Sequence, residues 1–340
     1  MTISVKKVKG TLLLDGNQQA IEKAAALLKA GGLVAFPTET VYGLGAIATN
    51  PAAVKKIFMA KGRPADNPLI VHISDLDQLN QVADEPSPEA LMLARRFWPG
   101  PLSLVLKRSP VVVPEISAGL PTVAVRMPDH PLALSLIRAA GAPIAAPSAN
   151  LAGRPSPTSY RHVLDDLRGR IDAVIIGQDC RIGVESTVLD LSGEQPVILR
   201  PGGLSLEELE EALHCHIPVA GSKFSATKPS SPGMKYRHYA PRAPLILITG
   251  SPERRFSLLN SLAAFYRRQG LQVGVLKSAA GRGWARTDQP GRLAANLYRL
   301  MRIFDAGGAD LILIEETVYT GIGLAVMNRL RKAAKRVLRT

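Results

Sequence analysis

Between Gly31 and His72 the chain reads GGLVAFPTETVYGLGAIATNPAAVKKIFMAKGRPADNPLIVH. An apolar strand, Leu33 to Phe36, runs into the hydroxyls and carboxylate of Pro37-Thr38-Glu39-Thr40 and then into Tyr42-Gly43-Leu44-Gly45. A helix follows, and Lys61-Gly62-Arg63-Pro64 stands at its end. Lysine offers a compact charge and arginine a planar fork, so two cations two residues apart in a loop suit a phosphate chain. Cations at a helix C-terminus are also ordinary dipole partners. Taken alone, Lys61 and Arg63 would be read that way.

They do not stand alone. Thr122-Val123-Ala124-Val125-Arg126 is a strand ending in arginine. At the end of an α/β strand such a fork suits a carboxylate or phosphate; the plainer reading is a surface salt bridge. Pro143 to Asn150, PIAAPSAN, delivers Ser148 and Asn150 to a loop that continues through Gly153 and Ser156. Glu185-Ser186-Thr187 and Leu199-Arg200-Pro201-Gly202-Gly203 repeat the theme. Five strand ends supplying hydroxyls or a cation point to one shared polyanion site. His72, after Ile70 and Val71, reads by itself as a packed core histidine. No His/Cys/Glu cluster has metal-cage spacing, and neither a Walker A sequence nor a G-x-S-x-G elbow is present.

The elements that must position these residues follow from periodicity and caps. Asn17 caps a helix through Ala30, and Asn50-Pro51 opens a second. Further helices are expected at Glu89–Phe97, Pro131–Ala140, Thr158–Leu167 and Ser205–Leu213, the last with a capping-box spacing from Ser205 to Glu208. Strands are expected at Leu33–Phe36, Leu69–Ile73, Leu102–Lys107, Thr122–Arg126, Pro143–Ala146, Ala173–Gly177, Thr187–Leu191 and Val197–Arg200. From Leu245 a second rhythm begins: LILIT, helix Ser251–Arg268, LQVGVLK, helix Arg292–Ala306, LILIE, helix Gly323–Arg336. Strands alternating with helices predict a small parallel sheet. Its first strand–helix turn carries only Gly250 and no G-x-G-x-x-G fingerprint. Between the two lies PVAGSKFSATKPSSPGMKYRHYAPRAP, residues 218–244, a linker by its Pro, Ser and Gly content. The density of binding side chains from Lys235 to Arg242 suggests a working one.

At 340 residues two domains are expected. The 46% hydrophobic and 21% charged content is that of a globular chain. No apolar run approaches membrane length, and the N-terminal leucine patch is too short for a signal core, so a cytoplasmic protein without a membrane partner is expected. Two cysteines, Cys180 and Cys215, exclude a disulfide framework and read as small apolar fillers. Residues 1–220 hold 21 Lys and Arg against 22 Asp and Glu, a net of −1, whereas residues 221–340 hold 21 against 6, a net of +15.

As a set, FPTETVYGLG, KGRP with NPLIVH, FWPGPLSLVL, VAVRMPDHP, APSAN, SPT, ESTVLD and LRPGG resemble the YrdC-domain family, and SPGMKYRHYAP with GIGLAVMNRLRKAA extends the likeness to its two-domain threonylcarbamoyl-AMP synthases. The resemblance implies a YrdC-like twisted mixed-sheet α/β catalytic domain over 1–217, a linker or lid over 218–244, and a small Rossmann-like parallel α/β domain over 245–340. It implies a nucleotidyltransferase that joins L-threonine, bicarbonate or CO2, and ATP into threonylcarbamoyl-AMP, releasing pyrophosphate. The product would feed a tRNA threonylcarbamoyl-transfer complex acting beside the anticodon of tRNAs that read codons beginning with A. By the same resemblance, Thr40, His72, Arg126, Ala146 and Ser186 line a threonine pocket. Arg63, Asn67, Thr122, Ser148, Asn150, Ser156, Arg200 and Tyr239 hold ATP. Lys61 and Arg63 act on the phosphates, and Mg2+ rides on the triphosphate rather than in a protein metal site. The alternative is an RNA-binding module, with tRNA contact by the C-terminal third, where Arg329 to Arg339 holds six cations on an expected helix.

Overall fold

The computed structural model describes residues 6–220, 239–277 and 288–340. Most of the expected linker therefore lies outside the described residues, including Lys235 to His238.

The N-terminal part is built on an 11-stranded mixed sheet. Its order across the sheet is Lys6–Val8, Thr11–Leu14, Ala173–Ile175, Val34–Phe36, Gly43–Ile47, Ile144–Ala145, Ile70–His72, Thr122–Arg126, Leu102–Lys107, Thr187–Asp190 and Val197–Arg200. Helices Gln18–Lys29 and Pro131–Ala140 cover one face, burying Ala20, Ile21, Ala24 and Leu28 against Leu136 and Ile137. Helices Pro51–Lys61, Pro88–Phe97 and Tyr160–Leu167 cover the other with Val54, Ile57, Leu93, Val163 and Leu167. The expected caps form: Asn17 and Asn50 accept from backbone N–H groups three residues on, and Ser205 with Glu208 makes a reciprocal capping box.

The tract Gly43-Leu44-Gly45-Ala46-Ile47 departs from expectation. It is a fully buried strand in the middle of the sheet, where no strand was expected. Its glycines make room. A Cβ on Gly45 would lie 2.8 Å from Ile144 Cγ2 and 2.9 Å from Phe36 Cε1.

The C-terminal part is a four-stranded parallel sheet ordered Val273–Leu276, Leu311–Glu315, Leu245–Thr249, Arg336–Arg339, with helices Pro252–Arg268, Pro290–Ala306 and Ile322–Ala333. The last helix stops at Ala333, because Arg336–Arg339 pairs with Leu245–Thr249 as an edge strand. The cations from Arg329 to Arg339 are therefore not one basic helix. Among them, Arg329 is completely buried.

The two parts share a core. Val41 and Val184 pack in the same cluster as Leu293, Leu297 and Tyr298. Gly183 approaches helix Pro290–Ala306 so closely that a Cβ there would lie 2.4 Å from Ala294 O. Among the described residues, no helix is long and apolar enough to cross a membrane. Cys180 is buried as a filler would be, whereas Cys215 is exposed.

Candidate active site

A cavity of about 320 Å³ opens over the middle of the large sheet. The mixed strand directions place its walls. Ile70–His72 and Thr122–Arg126 run parallel and in register, so His72 and Arg126 emerge side by side. Ile144–Ala145 runs antiparallel to Ile70–His72, and Ala146 N–H donates to Ile70 O. Ser148 therefore leaves the sheet four residues back from the level of His72, on the order of 13 Å along it, and Asn150 follows it. The cavity has two ends.

At one end, His72 is buried and its Nδ1 lies 3.2 Å from Ile70 O. A carbonyl only accepts, so Nδ1 carries the hydrogen and Nε2 is left as an acceptor. Burial, helped by the charge of Arg126, lowers the ring's pKa to about 3, so it is neutral at physiological pH. Arg126 donates through Nε to Gly100 O at 3.2 Å and pairs through Nη2 with Glu39 Oε1 at 2.6 Å. The arginine is thus in a buried ion pair rather than a surface salt bridge.

At the other end, helix Pro51–Lys61 ends in a left-handed Gly62, which turns Lys61 inward. Lys61 Nζ donates to Ser148 O and, at 2.6 Å, to Asn150 O. Burial and the adjacent Arg63 hold its pKa well below the usual lysine value. Arg63 is fixed by the carbonyls of Asn67 (3.3 Å from Nε, 3.1 Å from Nη2) and Pro68 (2.9 Å). Burial pulls its pKa to about 10, which leaves it charged at neutral pH. Arg200 reaches Ser186 O at 3.2 and 3.0 Å and Ser186 Oγ at 3.2 Å. Ser186 precedes the strand Thr187–Asp190 rather than ending one. Antiparallel pairing with Val197–Arg200 brings that beginning beside the other strand's end.

Lys61, Arg63, Asn67, His72, Arg126 and Ala146 line the cavity, as do Ser148, Asn150, Ser156, Ser186, Arg200 and Tyr239. Thr40 and Thr122 do not. Thr40 is fully buried with its Oγ1 2.9 Å from Thr38 Oγ1, and Thr38 is the hydroxyl on the wall. Thr122 is four residues before Arg126, roughly 13 Å away along an extended strand. Ser156 Oγ donates to Glu185 Oε1 at 2.5 Å, so its proton is committed. Two acceptors in the wall, Asn67 Oδ1 and Asn150 Oδ1, are buried with no hydrogen-bond partner. Buried acceptors are rarely left so, and here they mark where a donor-bearing ligand would sit.

Sequence reasoning gave Tyr298 no role, named Glu39 and Glu185 only within their strand-end motifs, and read Arg329 as one of six cations on a helix. Glu39 partners Arg126, and Glu185 gathers Ser156, Tyr298 and Arg329. Tyr298 and Arg329 stand more than a hundred residues further along in amphipathic helices; no local pattern marks Tyr298, and Arg329, inside GIGLAVMNRLRKAA, carries no local sign of its partner. No group of three or more His, Cys, Asp or Glu that could hold a metal occurs among the described residues.

A mixed α/β sheet bearing a two-ended cavity of cations and small hydroxyls, with a second α/β unit packed against it, has the build of a small-molecule-binding α/β protein. Comparison with known proteins narrows the class. The Sua5/yciO/yrdC family, described as Telomere recombination, matches residues 26–202. The Sua5 C-terminal family, described as Threonylcarbamoyl-AMP synthase, C-terminal domain, matches residues 204–335. The chain belongs to the Sua5/yciO/yrdC family and carries the Sua5 C-terminal domain. A Pyrococcus abyssi protein named threonylcarbamoyl-AMP synthase is 52% identical over 320 residues, which cover 92% of this chain and 94% of that protein. One of Bacillus subtilis with the same name is 50% identical over 331 residues, 94% of each. The crystal structure of P. abyssi Sua5 complexed with L-threonine matches with a TM-score of 0.91 at 49% identity, over 95% of this chain and 97% of that one.

Proposed function

We propose that this protein is a threonylcarbamoyl-AMP synthase, condensing L-threonine, bicarbonate or CO2, and ATP with release of pyrophosphate. The observation that carries this is the two-ended cavity, with His72 and Arg126 side by side at one end and Lys61, Arg63 and Arg200 at the other. The names of its close relatives support the same reading.

Arg126 suits the threonine carboxylate. A histidine with a pKa near 3 is a poor base, so His72 orients threonine by accepting a hydrogen bond at Nε2. The threonine ammonium gives one proton to solvent, the neutral amine bonds to the carbon of CO2 as one C=O electron pair moves onto oxygen, and the nitrogen gives a second proton to solvent, leaving a carbamate. An oxygen of the resulting carbamate attacks the α-phosphorus, and the bond to the bridging oxygen breaks so that pyrophosphate leaves with the electron pair. Lys61, Arg63 and Arg200 would offset the gathering negative charge. Nothing here demands a protein nucleophile; holding the reactants in place supplies most of the acceleration.

Among the described residues, the nearby carboxylates Glu39 and Glu185 are both engaged by arginines. The ion would arrive on the triphosphate, where it neutralises charge. The product would pass to a tRNA-modifying complex that transfers the threonylcarbamoyl group to adenosine.

The test is pyrophosphate release with ATP, Mg2+, bicarbonate and threonine. Omitting threonine or bicarbonate should abolish it. Serine accepted as well as threonine would overturn the substrate assignment.

A further inference from the structure

Glu185 is a carboxylate in the wall of a cavity otherwise built for anions. It is buried, and three side chains hold it. Ser156 Oγ donates to Oε1 at 2.5 Å, Tyr298 OH lies 3.1 Å from both oxygens, and Arg329 Nε donates to Oε2 at 2.8 Å. Tyr298 and Arg329 both come from the C-terminal unit, on helices Pro290–Ala306 and Ile322–Ala333.

Arg329 has no solvent exposure and bridges two loops of the cavity wall. Besides Glu185 it donates through Nη1 to Pro201 O at 2.7 Å, directly after Arg200. Those loops touch backbone to backbone: a Cβ on Gly202 would lie 2.2 Å from Ser186 C, and Gly203 N–H donates to Glu185 O at 3.0 Å. The Arg329 guanidinium also sits 5.3 Å from the centre of the Tyr239 ring, which stacks on Tyr298 at 5.6 Å and 25°. Tyr239 lines the cavity with φ at 66°, a left-handed conformation uncommon for a bulky side chain. One turn from Tyr298, Arg302 donates to Asp166 Oδ2 at 2.8 Å and to Pro155 O at 2.6 Å. Asp166 also takes Arg154 of the cavity wall at 2.6 Å.

We infer that Arg329 and Tyr298 are positioning residues for the nucleotide end of the site, through which the C-terminal unit completes it. Arg329 cancels the charge of Glu185, so that the carboxylate can order Ser156 and the wall loops without repelling a triphosphate. Tyr298 braces Tyr239. This assigns the C-terminal unit a part in ATP binding, and it rests on the reading of the cavity as an ATP site.

The experiment is steady-state pyrophosphate release by the full-length protein, with ATP and threonine varied separately. Arg329→Met leaves a buried anion beside the nucleotide and should raise the ATP KM about tenfold or more, with the threonine KM within about twofold. Glu185→Gln loosens Ser156 and leaves the buried Arg329 unpaired, so it should also raise the ATP KM, but less, because the charge left beside the nucleotide is then positive. The double variant, Arg329→Met with Glu185→Gln, should recover most of the loss. A purely structural role predicts that both single variants harm ATP binding alike and that the double gives no rescue. That result overturns the inference, as does an unchanged ATP KM in Arg329→Met. Should Arg329→Met not fold, Arg329→Lys decides, since it keeps the charge beside Glu185: an ATP KM within about threefold of wild type supports the inference, and a rise of about tenfold or more overturns it. A wild-type protein that releases no pyrophosphate sinks the synthase reading instead.

Discussion

Arg126 Nη2 lies 2.6 Å from Glu39 Oε1, and the two side chains are only 4% and 0% exposed. A buried arginine on a ligand-binding wall thus has a resident anion, and a threonine carboxylate would share the guanidinium with it. Pro37-Thr38-Glu39-Thr40 acquires a function from this pairing that its hydroxyls alone do not reveal.

Arg126→Ala should therefore do two separable things. It strands the Glu39 carboxylate away from water, which costs about 3–5 kcal/mol for a broken buried pair, and it raises the threonine KM. Adding Glu39→Gln should restore much of the stability in a denaturant titration while the threonine KM stays high. An Arg126→Ala protein as stable as wild type would contradict the pairing.

His72 makes stability depend on pH. Burial, then Arg126, lowers its folded pKa to about 3 from 6.5. Between those values the unfolded chain binds more protons, so stability is lost as pH falls below 6.5. Between pH 7 and pH 5 the loss from His72 is about 2 kcal/mol. His162, lowered to about 4 by burial, acts in the same direction. Glu185, held near 2 chiefly by Arg329 and Arg200 against its burial, matters only below about 4.5. Urea titrations at pH 7 and 5 should show a smaller pH effect in His72→Gln than in wild type. An equal effect in both would refute the neutral buried ring.

Gly45→Ala tests what the glycines near the site are for. Its methyl would meet Ile144 and Phe36 at under 3 Å, and overpacking of this kind costs about 1–3 kcal/mol. A lower melting temperature with the ATP KM little changed is the expected pair of results. A large change in ATP KM with stability intact would overturn the clearance role.

Arg63→Ala should raise the ATP KM, by about tenfold or more for loss of a charge-assisted contact, and leave threonine binding nearly as it was. The three contacts to Asn67 O and Pro68 O fix the guanidinium before any ligand arrives. Arg63→Lys cannot reproduce that fork and should recover little.

Much of this was legible along the chain. Asn17, Asn50 and Ser205 cap helices where cap chemistry and periodicity place them, and Leu102–Lys107, Thr122–Arg126 and Val197–Arg200 run as expected. These are local matters, decided within a turn or a pleat. Gly43–Ile47 was not legible, because a buried central strand with glycines for clearance looks like a loop until its neighbours are known. Nor was the edge strand Arg336–Arg339, whose basic run extends a helical pattern and pairs only because Leu245–Thr249 is there to receive it.

The sequence by itself determined that five stretches carry cations and hydroxyls at element ends, and that a second α/β rhythm follows. Tertiary structure alone decided which of those charges face a ligand and which are already answered. Arg126 is shared with Glu39, Ser156 is spent on Glu185, and Arg329, an apparent surface cation, is sealed against the cavity wall. The reason is physical. A charge is cheap in water and must be paired when buried, and burial depends on contacts such as Arg329 with Glu185, 144 residues apart in the chain.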